Sequence, residues 1–273
     1  MRGERPTREQ SVRRLVGRRG LAEFGIVGGC LLLYFLVRGS VVDRVPQADA
    51  HALDLIRLET NLGFFWELSW QKLILGSTFW TQFWNFFYFW LHGPLIAVVA
   101  FILYFKHRGK YSTIRTAFLI SCLIGLFIYD FYPVTPPRLL PRLGFVDTVQ
   151  RYADLSYQAE SLKPFVNPYA ALPSLHFGWA FLISVGIAWT WRTWWAYLAA
   201  AAETVGMFFA VVVTGNHFII DAIAGFIVCG VALALALWMH SVWLPRGNAW
   251  REQDTRGEPL APGAPASGDQ GAG

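Results

Sequence analysis

The chain has 273 residues, of which 55% are hydrophobic, 16% aromatic and only 15% charged, with a formal net charge of +5. A soluble domain carries nearer a quarter charged residues, so composition and several long apolar runs exclude a soluble globular enzyme and indicate a polytopic membrane protein. The basic residues bunch at the two ends and in one short loop, which sets topology and does not signal nucleic-acid binding.

Residues 1–20 are basic and polar and form a cytoplasmic N-terminal segment; no A-x-A-like cleavage site follows the first apolar run, so that run reads as a retained anchor. The first expected span is Leu21 to Val37. Ala48 to Leu62 has apolar positions at helical spacing with charges between, which predicts an interfacial helix. Phe64 to Trp84 is rich in tryptophan and phenylalanine, as at headgroup level. Phe83 to Phe105 is the second expected span, with Pro94 inside it, and Ile114 to Tyr132 the third, after a short basic loop. Pro133 to Pro173 is the longest polar loop. His176 to Trp191, Trp195 to Val213 and His217 to Trp238 are the fourth, fifth and sixth spans. The tail from 245 to 273 is rich in Gly, Pro and Ala and reads as disordered. The expected architecture is all-α: a six-helix membrane domain over 21–244, with an interfacial helix between the first two spans. Cys30, Cys122 and Cys229 each fall in an apolar span and read as small buried hydrophobes, with no zinc or disulfide spacing.

Six spans put both termini on one side. That side carries 15 of the 23 lysines and arginines and the other carries 8, so the termini are expected in the cytoplasm of a multi-pass cell-membrane protein. His176 and His217 then both start their helices at the extracytoplasmic face. Asp221 follows His217 by four residues, which on a helix places carboxylate and imidazole on one face. A carboxylate there fixes the tautomer and leaves the other ring nitrogen as a nucleophile, while a second histidine can protonate a leaving oxygen. Cleaving a phosphoester also needs positive charge or N–H donors around the phosphoryl oxygens. Arg138 and the backbone N–H groups near Ser174 and at the two helix starts are candidates, with Arg142 as the second cation. No metal-ligand set is evident, so no cofactor is expected. Glu203 lies midway along the fifth span and His92 well inside the second. Charge there is expensive, and the two are expected to pair, as a structural contact or a proton path. Asp130 reads as an interfacial residue.

Pro173-Ser174-Leu175-His176 and Gly215-Asn216-His217 with Asp221, in that order and after a proline-arginine loop, resemble the motifs of the type 2 phosphatidic acid phosphatase superfamily. The PSLH form looks closer to its inositol phosphorylceramide synthase-like branch of phosphotransferases. The resemblance spans roughly Phe64 to Trp238. It implies a six-helix bundle, a phosphohistidine formed on His217, Asp221 as orienting group, His176 as general acid and no metal. The superfamily's usual first motif has a lysine seven residues before an Arg-Pro pair, where this chain has Phe131, Arg138 and Leu139. Its usual Ser-Arg before the third-motif histidine is replaced by Ala210 and Val211. The implied activity is transfer of a phosphate-containing headgroup from a lipid to an alcohol. The alternatives are a lipid phosphate or prenyl diphosphate phosphatase using water and, from another class, a non-catalytic transporter component or scaffold.

Overall fold

A computed structural model describes residues 44–152 and 168–242, together with 17, 20–23, 25–30 and 32. The C-terminal tail, the 153–167 part of the long loop, most of the basic N-terminal segment and the second half of the first expected span lie outside the described residues. Among these the chain is all-helical, with one isolated bridge between Val134 and Ala170.

Helix α1 (Val45–Leu62) has a proline in its first turn and ends at Gly63, whose φ of 79° lets Gly63 and Phe64 bond back to Thr60 and Glu59. Helix α2 (Glu67–Leu75) is short. Helix α3 (Thr78–Lys106) is started by Ser77, whose hydroxyl accepts from the Trp80 N–H. Pro94 removes an N–H inside α3, and the turn just before it, Phe87–Leu91, opens to π geometry. Local π turns of this kind re-satisfy backbone groups that a proline frees in an apolar helix. Helix α4 (Arg108–Phe131) follows a sharp break at His107. The loop after it carries α5 (Thr148–Tyr152). Helices α6 (Leu175–Trp191), α7 (Trp194–Val213) and α8 (Ile219–Val242) complete the bundle.

Four of these helices, α3, α4, α7 and α8, are long and apolar enough to cross a membrane, and α6 and an apolar helix at Gly20–Cys30 are shorter. The chain is a membrane protein. Helices α6 and α7 begin within a residue of the expected starts, whereas α3 starts at Thr78 instead of Phe83, α4 at Arg108 instead of Ile114, so that the expected basic loop is its first two turns, and α8 at Ile219 instead of His217. Large side chains such as Phe101, Phe127 and Ile227 are exposed along the outer faces, as expected where lipid replaces water.

Helix α6 lies at the centre. Leu182 and Leu175 pack with Leu126 of α4 and with Cys229 and Ala232 of α8. Ile183 and Ile187 pack with Leu103 of α3, Ile114 of α4 and Ala200 of α7. Small residues let α6 and α8 approach closely: a Cβ on Gly178 would lie 2.5 Å from Cys229 Sγ and 2.8 Å from the Gly225 carbonyl oxygen. At one end of the bundle, Ala52 and Leu55 of α1 form a separate cluster with Val134, Leu140, Phe145, Ala171 and Phe218. This cluster ties α1 and the polar loop to Phe218, the residue after His217. Arg44 pairs with Asp130 at 2.7 Å, with both side chains part-exposed, which suits an interfacial position for Asp130.

Candidate active site

His217 sits in the turn between α7 and α8, two residues before α8 begins. Gly215, at φ 73°, reverses the chain. The N–H groups of Asn216 and His217 both bond to Val211 O, at 3.1 and 3.0 Å, which folds the turn back onto the end of α7. The expectation that His217 opens a helix and shares its face with Asp221 is therefore corrected. Asp221 lies in the first turn of α8, where its Oδ2 accepts from the Phe218 N–H at 2.8 Å and lies 3.5 Å from His217 Nδ1. The nearer partner of that nitrogen is the carbonyl oxygen of Ala171, at 2.8 Å. A carbonyl only accepts, so Nδ1 carries the proton and Nε2 carries the lone pair. The tautomer needed for nucleophilic attack is thus set by a backbone group that motif spacing does not reveal.

His176 occupies the first turn of α6. Ser174 caps that helix, its hydroxyl accepting from the Phe177 N–H. The preceding loop is fastened on two sides: Ser174 N–H donates to Asp221 O at 2.8 Å, and Tyr129 Oη donates to Pro173 O at 2.8 Å. These bonds bring the two motifs together, and the ring centroids of His176 and His217 are 6.2 Å apart. The His217 side chain is 7% exposed and Asp221 is fully buried.

Of the two candidate cations, Arg138 is held against the His217 turn. Its N–H donates to Gly215 O at 2.7 Å, its Nε to Asn216 Oδ1 at 2.9 Å, and its Nη1 to Asp147 Oδ2 at 3.0 Å. It lines a surface hollow of about 590 Å³ with Phe145, Asp147, Gln150 and Arg151. Arg142 bonds instead to Asp49 of α1 at 3.0 Å, and its side chain is 56% exposed. Ser174 is buried, with its hydroxyl engaged as the α6 cap.

A family model of the PAP2 superfamily matches residues 53–235. The chain belongs to the PAP2 superfamily. No curated protein and no solved structure matches the chain. The match starts inside α1, earlier than the Phe64 expected from the motifs, and it takes in His176, His217, Asp221 and both arginines. PAP2 superfamily membership points to lipid phosphatase or phosphotransferase chemistry acting on a lipid substrate in a bilayer.

In this PAP2 superfamily member the backbone donors at the start of α8 are already used. Phe218 N–H goes to Asp221, Ile219 N–H to Glu67 Oε1 at 2.8 Å and Ile220 N–H to Glu59 Oε1 at 2.8 Å. The expectation that these N–H groups hold phosphate is replaced by a carboxylate cap at the positive end of the helix. Glu59 and Glu67 are both fully buried. Burial, then the neighbouring Glu67 charge, pushes the Glu59 carboxyl up to about 9, and burial also raises Glu67. Glu67 is the lone charge in the run Phe64-Phe65-Trp66-Glu67-Leu68-Ser69-Trp70, a signal that sequence reading passed over.

The expected pairing of His92 with Glu203 is present: Nδ1 lies 3.2 Å from Oε1, and both side chains are 5% exposed. Tyr88, on the π turn that ends just before His92, has its ring 4.6 Å from that of His176.

Proposed function

We propose that this PAP2 superfamily protein cleaves a phosphate-containing lipid through a phosphohistidine on His217 and passes the phosphoryl-bearing group to an alcohol. His217 Nε2 attacks phosphorus, the bond to the leaving oxygen breaks, and His176 supplies that oxygen with a proton. The acceptor hydroxyl then attacks phosphorus, gives its proton to His176, and the P–N bond breaks. Arg138 steadies the phosphoryl oxygens, and Asp221 supports the His217 cation as it forms. The observation that carries the reading is the 6.2 Å approach of two imidazoles from different helices, one of them tautomer-locked at Nδ1 by the Ala171 carbonyl.

Burial of His217 supports an alcohol acceptor over water, since a site closed to solvent disfavours hydrolysis of the intermediate. The PSLH form favours an inositol phosphate or similar headgroup as the unit transferred. The lysine and arginine count favours six spans with both histidines at the extracytoplasmic face of the cell membrane, the first span including Gly20–Cys30 and the fourth being α6. In this reading α1 lies in the interface.

Purified protein incubated with phosphate-labelled phospholipid should carry acid-labile label that is absent from His217→Ala. Products separated with and without an added lipid alcohol would show headgroup transfer to that alcohol or release of a water-soluble phosphate. Label or turnover that survives His217→Ala would remove the mechanism, and release of water-soluble phosphate or headgroup phosphate alone, with no transfer to the alcohol, would make the enzyme a hydrolase.

A further inference from the structure

Two hydrophobic helices that face lipid along much of their length bury one histidine–carboxylate pair between them, and the mechanism above does not use it. His92 comes from α3, where the π turn Phe87–Leu91 ends, and Glu203 from the middle of α7. A pair desolvated to this degree does not earn its place by stability, because apolar residues of similar size commonly serve as well or better. Its position is informative. The His92 ring centroid lies 5.8 Å from that of His176, a separation that one hydrogen bond or one bridging water spans. His92 Nδ1 is engaged by Glu203, and its Nε2 is buried without a hydrogen-bond partner among the described residues. His176 is thus ringed by Tyr88 at 4.6 Å, His92 at 5.8 Å and His217 at 6.2 Å.

We propose that Glu203 and His92 form a second carboxylate–histidine pair that positions His176 and keeps its proton directed at the leaving oxygen. The pair acts through His176 and so rests on the reading of His176 as general acid. With Nδ1–H given to Glu203, His92 Nε2 presents a lone pair. It accepts the N–H of His176 that does not face the substrate through one bridging water. No bond is made or broken by the pair itself: the proton that reaches the leaving oxygen comes from His176 and returns there from the acceptor. The two sides of the reaction are then built alike. Asp221 and the Ala171 carbonyl orient the nucleophile, and Glu203 with His92 orients the acid. The π turn supplies the geometry, since it sets Tyr88 and His92 on one side of α3, both against His176.

The test compares two substrates that differ in their need for an acid. A short-chain phosphatidic acid expels a strongly basic alkoxide, whereas p-nitrophenyl phosphate expels a stable phenolate without protonation. Glu203→Gln and His92→Gln should each lose about 10- to 100-fold in kcat/KM, which reports only the half-reaction that expels the leaving oxygen, on the first and under about 3-fold on the second, a fraction of the range general acids provide. His176→Ala should show the same selectivity more strongly, and His217→Ala should abolish both. Equal losses on both substrates in the Glu203 and His92 variants, or no loss on either, would overturn the proposal. A His176→Ala variant without selectivity would instead overturn the reading of His176. Should the single variants fail to fold, the double His92→Leu, Glu203→Met replacement removes both polar groups at once. It should fold and keep the selective loss.

Discussion

The carbonyl oxygen of Ser174 lies against the bare Cα of Gly225, so closely that a Cβ at 225 would stand 2.1 Å from it and 2.9 Å from the carbonyl carbon. Both atoms are backbone and cannot rotate away. This contact carries the active site, because Ser174 N–H also bonds to Asp221 O one turn earlier on α8. Gly225→Ala is expected to force α6 and α8 apart, to cost about 1–3 kcal/mol and to lower turnover more than tenfold. Gly230→Ala is the control, since nothing lies within 4 Å of a Cβ there. Thermal unfolding in detergent and initial rates on labelled lipid would read both. Matching behaviour of the two variants would show that the close approach does not position the site.

Asp221 is less decisive for the His217 tautomer than the spacing suggests. In a triad where the carboxylate alone fixes the tautomer, its amide replacement lowers kcat by about 10⁴. Here Ala171 O lies nearer to Nδ1 than Asp221 Oδ2 does, at 2.8 against 3.5 Å. Asp221→Asn should therefore lose only about 10- to 100-fold, through weaker support of the His217 cation, and should still form the phosphohistidine. A loss as complete as that of His217→Ala would return the orienting role to the carboxylate alone.

The two arginines should separate cleanly. Arg138 is anchored by Asn216 and Asp147 beside His217, the proposed nucleophile, so Arg138→Ala is expected to lower kcat/KM by about 100-fold or more, the scale of losing one charge-stabilising donor. Arg142→Ala removes an exposed pair with Asp49, worth under about 1 kcal/mol, and should change kcat/KM less than threefold. Equal effects would place phosphate between the two side chains.

Stability should fall as pH rises across the neutral range. The folded protein holds the Glu59 proton up to about 9, whereas the unfolded chain releases it near the ordinary 4.5. A raised folded value means that the proton's contribution is complete below the unfolded value. It is lost progressively as pH climbs from there to about 9. Glu59→Gln keeps an acceptor for Ile220 N–H and carries no charge. It should flatten the dependence of melting temperature on pH between 5 and 9, a window set by the two values above. An unchanged slope would show that the Glu59–Glu67 pair is not the titrating element.

Much of the fold was legible because crossing a bilayer demands long apolar runs, and such runs leave few alternatives. The helices observed at 175–191 and 194–213 fall where hydropathy predicts, while the one at 108–131 starts six residues ahead of its apolar run. The order of PSLH and GNH with Asp221 likewise exposed both histidines, since local chemistry must be spelled out in local residues. The sequence could not show what faces them. A helix apolar on all sides, such as α6, gives no periodic signal of which side meets which neighbour. The partners that set the site come from far along the chain: Ala171 O for His217, Glu59 and Glu67 for the start of α8, and His92 for Glu203. Sequence alone determined a membrane bundle with two motif histidines near the starts of two helices. Only the tertiary structure decided which nitrogen of His217 is free, which donors are already taken and what stands behind His176, because buried polar groups are satisfied by whatever packing brings within hydrogen-bond reach.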